Sequence, residues 1–329
     1  MQQEDGFLED IEEKIAQFLK VGEYVRSDEL VAEAGCSLDE LENFLSSLKK
    51  RGYEIEENPA LGIRLLEEPD TLSEVEIARR LKTSVIGRKA YCYSSVGSTN
   101  ELAIRLGQQG AEEGAVIIAN EQTKGKGRFG RSWVSPRREG IWMSLILRPE
   151  PHLEPATALS LVAAYSVAIA LREVAGVRAM IKWPNDVRVG EKKICGILAE
   201  LSKDARGNQF IVLGFGVNVN QSSFSGDLEQ VATSVKIETG EKIPRLPLIR
   251  KLLENLEEFY FQCKKDGFSG ILKGVREIST LMGKRVEVSL GGETISGYVQ
   301  DIDDMGRLII RTDDGNIREI FAGEANTVR

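Results

Sequence analysis

Seventeen residues, "QTKGKGRFGRSWVSPRR" from Gln122 to Arg138, hold six cations (Lys124, Lys126, Arg128, Arg131, Arg137 and Arg138) and no acid. Three glycines, Gly125, Gly127 and Gly130, sit among them at G-x-G-x-x-G spacing. The surrounding chain is acidic, with a formal net charge of −8. Glycines let backbone N–H groups come close to an anion, and the alternating Lys126, Arg128 and Arg131 would surround it. The plain alternative is a solvated basic turn. So many glycines are costly to order, so the loop is expected to stay mobile until an anion bridges it. A dinucleotide fold would need a helix to open on the loop, but turn residues follow instead. A kinase loop lacks its H-R-D partner, and no G-x-x-x-x-G-K-[ST] occurs.

Other chemistry is narrowed by scarcity. The one histidine, His152, lies between two prolines and reads as a surface loop residue rather than a catalytic group. No G-x-S-x-G accompanies it. A multi-histidine metal site is excluded, and no metal ligand is assigned. Four scattered cysteines (Cys36, Cys92, Cys195 and Cys263) form no C-x-x-C pair and read as small buried hydrophobes.

The elements that must position the loop follow from pattern. "YCYSSVGSTNELAIRLGQQG" reads as strand, loop and helix, with Ser98 and Glu101 spaced as a capping box. Ser98, Thr99 and Asn100 are a helix start, and equally a set of short polar groups suited to a small ligand. "AVIIAN" (115–120) is a buried strand that feeds the loop, and "GIWMSLILRP" is the next. An apolar helix runs from Pro155 to Gly176. Lys182-Trp183-Pro184-Asn185-Asp186 makes a rigid turn after a strand ending at Ile181. "VRVGEKKICGILAEL" is a hairpin turned at Gly190-Glu191, with Lys192 and Lys193 opening its second arm. "FIVLGFGVNVN" (210–220) is a strand whose Gly214 and Gly216 permit close approach and whose Asn218 offers an amide.

Charge divides the chain. Residues 1–80 carry nine Lys/Arg against 21 Asp/Glu, and the rest carry 34 against 30. The acidic end reads as short helices. Leu8, Ile11, Ile15, Phe18 and Leu19 are at helical spacing. "SDELVAEAG" is expected to be capped by Ser27, and "CSLDELENFLSSLKKRG" starts after Ser37. Two helices about a glycine turn make a helix-turn-helix pattern, and "YEIEENPALGIRLL" reads as a hairpin wing. DNA phosphates need cations, yet the second helix opens with Asp39, Glu40 and Glu42. A DNA reader and a packed helical domain both stand at this point. Residues 67–82 read as a polar linker. The C-terminal 49 residues alternate as a small β-barrel, with turns at Gly291-Gly292, Met305-Gly306 and Asp314-Gly315. No run of 18 apolar residues suggests a membrane span. The acidic N-terminus lacks a signal peptide's pattern, so a cytoplasmic location is expected.

The ordered set S-T-N, G-K-G-R-x-G-R-x-W, K-W-P-N-D, K-K-I-C-G-I-L-x-E and G-F-G-V-N-V-N resembles biotin protein ligases over essentially the whole chain. The N-terminal helices resemble the bifunctional ligase/repressor branch. The resemblance implies an α+β protein: a winged helix-turn-helix (1–68), a class II synthetase-like mixed sheet with helices (84–278) and an SH3-like barrel (279–329). It implies activation of biotin by MgATP to biotinyl-5′-AMP, then transfer to a lysine of a carrier such as the biotin carboxyl carrier protein of acetyl-CoA carboxylase. It implies a homodimer when adenylate is bound, and operator DNA as a further partner whose binding the acidic helix leaves open. Carried over by motif, Ser98, Thr99, Asn100, Gln122, Lys126, Gly127, Arg128 and Lys193 would serve biotin. Arg131, Asn185, Asn218, Gly196 and Gly214 would serve ATP or the adenylate. Lys193, Arg128, Lys182 and Asp186 would serve the chemistry, and Trp133 would support the loop by packing. Lys126 stands where many members carry Arg, which keeps the charge but loses the bidentate fork. A ligand-sensing transcription factor and a lipoate ligase are the competing readings; the K-W-P-N-D and G-K-G-R-F-G-R motifs favour biotin over lipoate.

Overall fold

The computed structural model describes residues 11, 14, 15, 18, 19, 21–67, 69–149, 156–290 and 292–328; His152, Leu8 and Gly291 lie outside them. The described chain divides into two compact units, one holding residues up to 71 with 75–80, the other 72–74 with 81–329.

In the smaller unit, α1 (Ser27–Ala34) and α2 (Leu38–Lys50) meet at Gly35, whose left-handed backbone returns its N–H to Val31. Arg26, not Ser27, is the N-cap of α1. No side chain caps it, because a guanidinium has no acceptor for a backbone N–H; Arg26 pairs with Asp28. Ser37 caps α2 in a full capping box: Glu40 N donates to Ser37 Oγ at 3.3 Å, and Ser37 N donates to Glu40 Oε2 at 2.7 Å. One of the three acids of this helix is thereby spent on its own N-terminus. The strands β1 (Tyr24–Val25), β2 (Glu54–Asn58) and β3 (Gly62–Glu67) form an antiparallel sheet in the order β1-β3-β2. Ile11, Ile15, Leu19, Leu41, Leu45 and Leu65 share one core, while Phe18 is exposed.

Residues 67–82 are more than a linker. They contain α3 (Glu74–Ala78), with Glu76 and Ile77 buried. The Glu76 carboxylate takes hydrogen bonds from Arg51 and Tyr53. A buried charge is tolerated because it is paired and hydrogen-bonded.

The larger unit is built on a seven-stranded mixed sheet: β4 (Ala90–Tyr93), β5 (Val116–Ala119), β6 (Gly140–Leu147), β7 (Met180–Lys182), β8 (Asp186–Val189), β9 (Lys192–Lys203) and β10 (Gln209–Asn218), in the order β4-β5-β6-β10-β9-β8-β7. Only β4 and β5 pair in parallel. The helix α4 (Thr99–Gln108) lies on the sheet over Ile117, Ile146, Phe210 and Val212. The apolar α5 (Ala156–Ala175) is long and apolar enough to cross a membrane, but 67% of its most apolar window is buried within the molecule. It packs on α6 (Arg245–Asp266) and on the sheet, so it is a core helix. The helix α7 (Ser269–Glu277) then leads to the C-terminal strands.

Those are β11 (Arg285–Leu290), β12 (Glu293–Ile302), β13 (Leu308–Thr312), β14 (Ile317–Ile320) and β15 (Glu324–Thr327), an antiparallel sheet in the order β14-β13-β12-β11-β15. The turn at Gly306 docks on the larger sheet's edge: Trp183 Nε1 donates to Gly306 O at 2.9 Å.

Two of the four cysteines, Cys195 and Cys263, are buried; Cys36 and Cys92 are half-buried, and all are free. Burial pushes the thiols of Cys92 and Cys263 up to about 12, so neither is a thiolate nucleophile at neutral pH.

Candidate functional site

A cleft of about 310 Å3 lies where the cationic loop crosses the middle of the larger sheet. Its floor is made by glycines on adjacent central strands. Gly196 of β9 pairs with Gly216 of β10, and Gly214 lies one step along. A Cβ on Gly214 would lie 2.1 Å from Asn100 Oδ1, and one on Gly216 would lie 2.4 Å from Trp133 Nε1. Only glycine therefore lets α4 and the loop come this close to the sheet.

At one end the lining is neutral and polar. Thr99 N and Oγ1 both donate to Gln122 Oε1, at 2.8 and 3.0 Å. Gln122 Nε2 donates to Ser135 Oγ at 2.9 Å. Ser144 Oγ lies 2.8 Å from Thr99 Oγ1 and 2.6 Å from Asn100 Oδ1, and Asn100 Nδ2 donates to Glu200 at 2.7 Å. Ser98 is the N-cap of α4, so the first helical turn presents its N-terminus here.

The other end is cationic. Lys193 Nζ is 2.6 Å from Asp186 Oδ1 and 5.2 Å from the Trp133 ring. Arg128 Nη1 donates to Asn185 Oδ1 at 2.6 Å, and Nη2 donates to Gly323 O at 3.3 Å. Lys182 Nζ donates to Asn326 Oδ1 at 2.7 Å. Burial lowers the Arg128 pKa; burial, then the nearby Arg188, lowers that of Lys182. Both cations are thus held where water compensates their charge poorly, which favours an anion beside them.

The loop between these ends is a folded hairpin. Gly127 N donates to Arg131 O at 2.7 Å and Trp133 N to Gly125 O at 2.9 Å. Phe129, at its tip, has a left-handed backbone (φ +56°) and is 68% exposed. Two carboxylates hold the loop from either side: Glu101 of α4 pairs with Lys126 at 2.5 Å, and Glu324 of β15 pairs with Arg131 at 2.5 Å. These two carboxylates stand beside the loop's cations on either side of the cleft.

The scan against family models matches residues 93–218 to the biotin/lipoate A/B protein ligase family and residues 281–325 to the biotin protein ligase C terminal domain. The bifunctional ligase/repressor BirA of Bacillus subtilis is 35% identical over 313 residues, covering 94% of this chain and 96% of the relative. The chain belongs to the biotin protein ligase family. The biotin–[acetyl-CoA-carboxylase] ligase of Mycobacterium tuberculosis is 34% identical, over 70% of this chain and 88% of its own. The biotin protein ligase from Aquifex aeolicus, solved in complex with biotin and ATP, aligns with a TM-score of 0.65 and 32% identity, over 74% of this chain and 99% of that one.

The biotin protein ligase motifs converge on the cleft. Ser98, Thr99, Asn100, Gln122, Lys126, Gly127, Arg128, Arg131, Lys182, Asn185, Asp186, Lys193, Gly196 and Gly214 all line it. Asn218 does not. It sits at the end of β10, almost fully buried, donating to Thr233 O at 3.0 Å and accepting from Gln221 at 3.0 Å. Its amide is already used to fix the following loop.

Ser144 and Glu324 escaped the sequence reading, and Glu101, read there as a capping-box residue, instead pairs with Lys126. Ser144 had a signal, since it is a lone hydroxyl inside the apolar run of β6 and is fully buried. Glu324 had none, being 193 residues from the arginine it holds.

Proposed function

We propose that this protein is an ATP-dependent biotin protein ligase that forms biotinyl-5′-AMP and passes biotin to a lysine of a carrier protein, such as the biotin carboxyl carrier protein of acetyl-CoA carboxylase. The observation that carries this is the two-part lining of one cleft: a neutral end of Thr99, Asn100 and Gln122 beside a cationic end of Arg128, Lys182 and Lys193. The neutral end suits the ring and ureido groups of biotin; the cationic end suits a carboxylate meeting a phosphate.

A carboxylate is already a nucleophile, so the first step needs no general base. It needs two anions held in line and their charge neutralised. Lys193 and Arg128 are placed to do this where the two ends meet, and the loop with Arg131 shields the mixed anhydride from water. Mg2+ brought in with ATP would neutralise charge on the phosphates. Asp186 and Glu324 are the carboxylates of the lining, and one or two such groups plus phosphate oxygens are its usual ligands. In the second step the acceptor lysine must lose a proton, and Asp186 is the group placed to orient or accept from it.

Incubation with MgATP, labelled biotin and a carrier domain tests the proposal; an unlabelled carrier would sink it, and labelling by lipoate instead would point to the sister activity. A second role, biotin-responsive repression, is favoured by alignment to the ligase/repressor of B. subtilis over 94% of this chain. In this reading residues 1–68 are a winged helix-turn-helix acting on operator DNA as an adenylate-bound homodimer. Residues 84–278 are the catalytic domain and 279–329 an SH3-like barrel, in a protein of the cytoplasm.

A further inference from the structure

A second cavity, of about 420 Å3, opens along the seam between β7, the β8–β9 turn, residues 279–284 and β15. It shares Lys182, Arg188 and Asn326 with the main cleft. Strand register explains the arrangement. Lys182 lies opposite Asp186, Met180 opposite Arg188, and Arg188 opposite Lys193. Alternation then places Lys182 and Arg188 on one face, in line with the cleft's Lys193. Lys284, just before β11, adds a third cation from the other wall.

Lys126, Arg131 and Lys193 each hold a carboxylate. Among the described residues Lys182 and Lys284, like Arg128, form no ion pair; Lys182 Nζ is hydrogen-bonded to an amide, with Asp186 and Glu324 near enough to act on its charge. The single acid of the lining is Glu191. Its side chain is 90% exposed and only 4.0 Å from Arg188. Arg188 Nη1 donates to Glu191 O at 3.0 Å, while its Nε is buried with no hydrogen-bond partner. A buried donor without a partner is costly. An anion would satisfy it and separate two cations that repel.

We propose that this seam is a subsite for pyrophosphate, the leaving group of adenylation. The inference rests on the ligase reading. In that step a biotin carboxylate oxygen bonds to the α-phosphorus of ATP. The bond from that phosphorus to the α,β-bridging oxygen breaks, and pyrophosphate leaves with the electron pair. Pyrophosphate retained beside the adenylate can reverse the reaction. The row Lys182–Arg188–Lys284 gives it a cationic place to move to while the loop stays closed over the adenylate.

The test is calorimetric titration of the full-length protein with inorganic pyrophosphate, before and after loading with a nonhydrolysable biotinyl-adenylate analogue. The proposal expects binding to survive the loading. It also expects Lys284→Gln to weaken that binding by about tenfold, a difference of about 1.4 kcal/mol. The Lys284 variant should form adenylate at the wild-type rate and be less inhibited by added pyrophosphate. Arg188→Gln, at a part-buried site, should weaken binding more. Pyrophosphate binding that the analogue abolishes, or that both variants leave intact, overturns the subsite. So does competition at the seam by an acidic carrier domain without any by pyrophosphate. Adenylate formation from biotin and MgATP is measured on the same samples. If it proceeds and the seam fails the titration, only the subsite falls; if no adenylate forms, the ligase reading itself falls.

Discussion

Ser144 is the side chain on which the neutral end of the cleft turns. It is fully buried and bridges Thr99 and Asn100, the first two residues of α4. Ser144→Ala would leave those groups short of a partner without adding bulk, at about 1–3 kcal/mol. The expected outcome is weaker biotin binding with little change in the ATP requirement, read by titration calorimetry. Gly214→Ala tests the same spot by crowding, since its methyl would lie 2.1 Å from Asn100 Oδ1. Biotin affinity should fall by at least about tenfold, or about 1.4 kcal/mol; unchanged affinity would mean Asn100 does not face the ligand. Arg128 belongs to the other end. It is held by Asn185 and the Gly323 carbonyl after the loop closes. Arg128→Ala should therefore speed adenylate release far more than it slows biotin entry. Stopped-flow release kinetics decide this, and an unaltered off-rate would remove the loop from the retention mechanism.

At the scale of elements, the cationic loop is fastened at its base as well as at its tip. Arg245, at the start of α6 and fully buried, donates to Asn120 Oδ1 at 2.9 Å and to Gly140 O at 3.2 Å. These residues flank the loop on either side, so one guanidinium holds both of its ends. The tip depends on Glu101 and Glu324. Hydrogen bonds from Lys126 and Arg131 respectively hold these carboxyl groups below their ordinary 4.5. For an acid with a depressed folded pKa, the contribution to stability is present above the unfolded pKa and is lost as pH falls through the folded one. The latch should thus be intact from pH 5 to 8. Tryptic cleavage within 124–131, taken relative to an unstructured reference substrate at the same pH, should be constant across that window, yet faster in high salt and in Glu324→Gln. A marked pH dependence there would assign closure to other groups. The elements themselves were largely legible in the sequence. The start of α2 after Ser37, the Gly190-Glu191 turn and the run of β10 all depend on neighbours a few residues apart, whereas of the box expected at Ser98 and Glu101 only the Ser98 half forms, since Glu101 pairs with Lys126. Three features escaped because they depend on distant residues: the Arg131–Glu324 pair, the inward engagement of Asn218, and the Arg51–Tyr53–Glu76 cluster that gives the expected linker a helix.

For the whole molecule, the two units pose separate questions. The Aquifex ligase matches along 99% of its length to only 74% of this chain, so about a quarter of the residues here lie outside the shared fold. Residues 81–329 alone are expected to keep adenylation and transfer within a few-fold, measured with labelled biotin; loss of folding in that piece would show that the smaller unit is needed for stability. Asp39 and Glu42 remain exposed on α2, facing solvent alongside Lys49 and Lys50. Any operator complex should therefore be weak and only shallowly salt-dependent, because few cations are available to neutralise phosphates and release their counterions. A gel shift with adenylate present checks this, and no shift at low salt would make the unit structural.

The packing of Trp133 has a practical consequence. The chain has three tryptophans. Trp142 and Trp183 are fully buried, with their indole N–H groups donated to Pro136 and Gly306. Trp133 rests on the cleft floor beside the Lys193 ammonium, its N–H without an acceptor, whereas Trp183 borders the cleft with its N–H already engaged. The emission of Trp133 should respond most to whatever fills the cleft. The protein therefore carries its own optical reporter of occupancy. Most of the ligand-dependent fluorescence should vanish in Trp133→Phe, and a signal that survives would be assigned to Trp183.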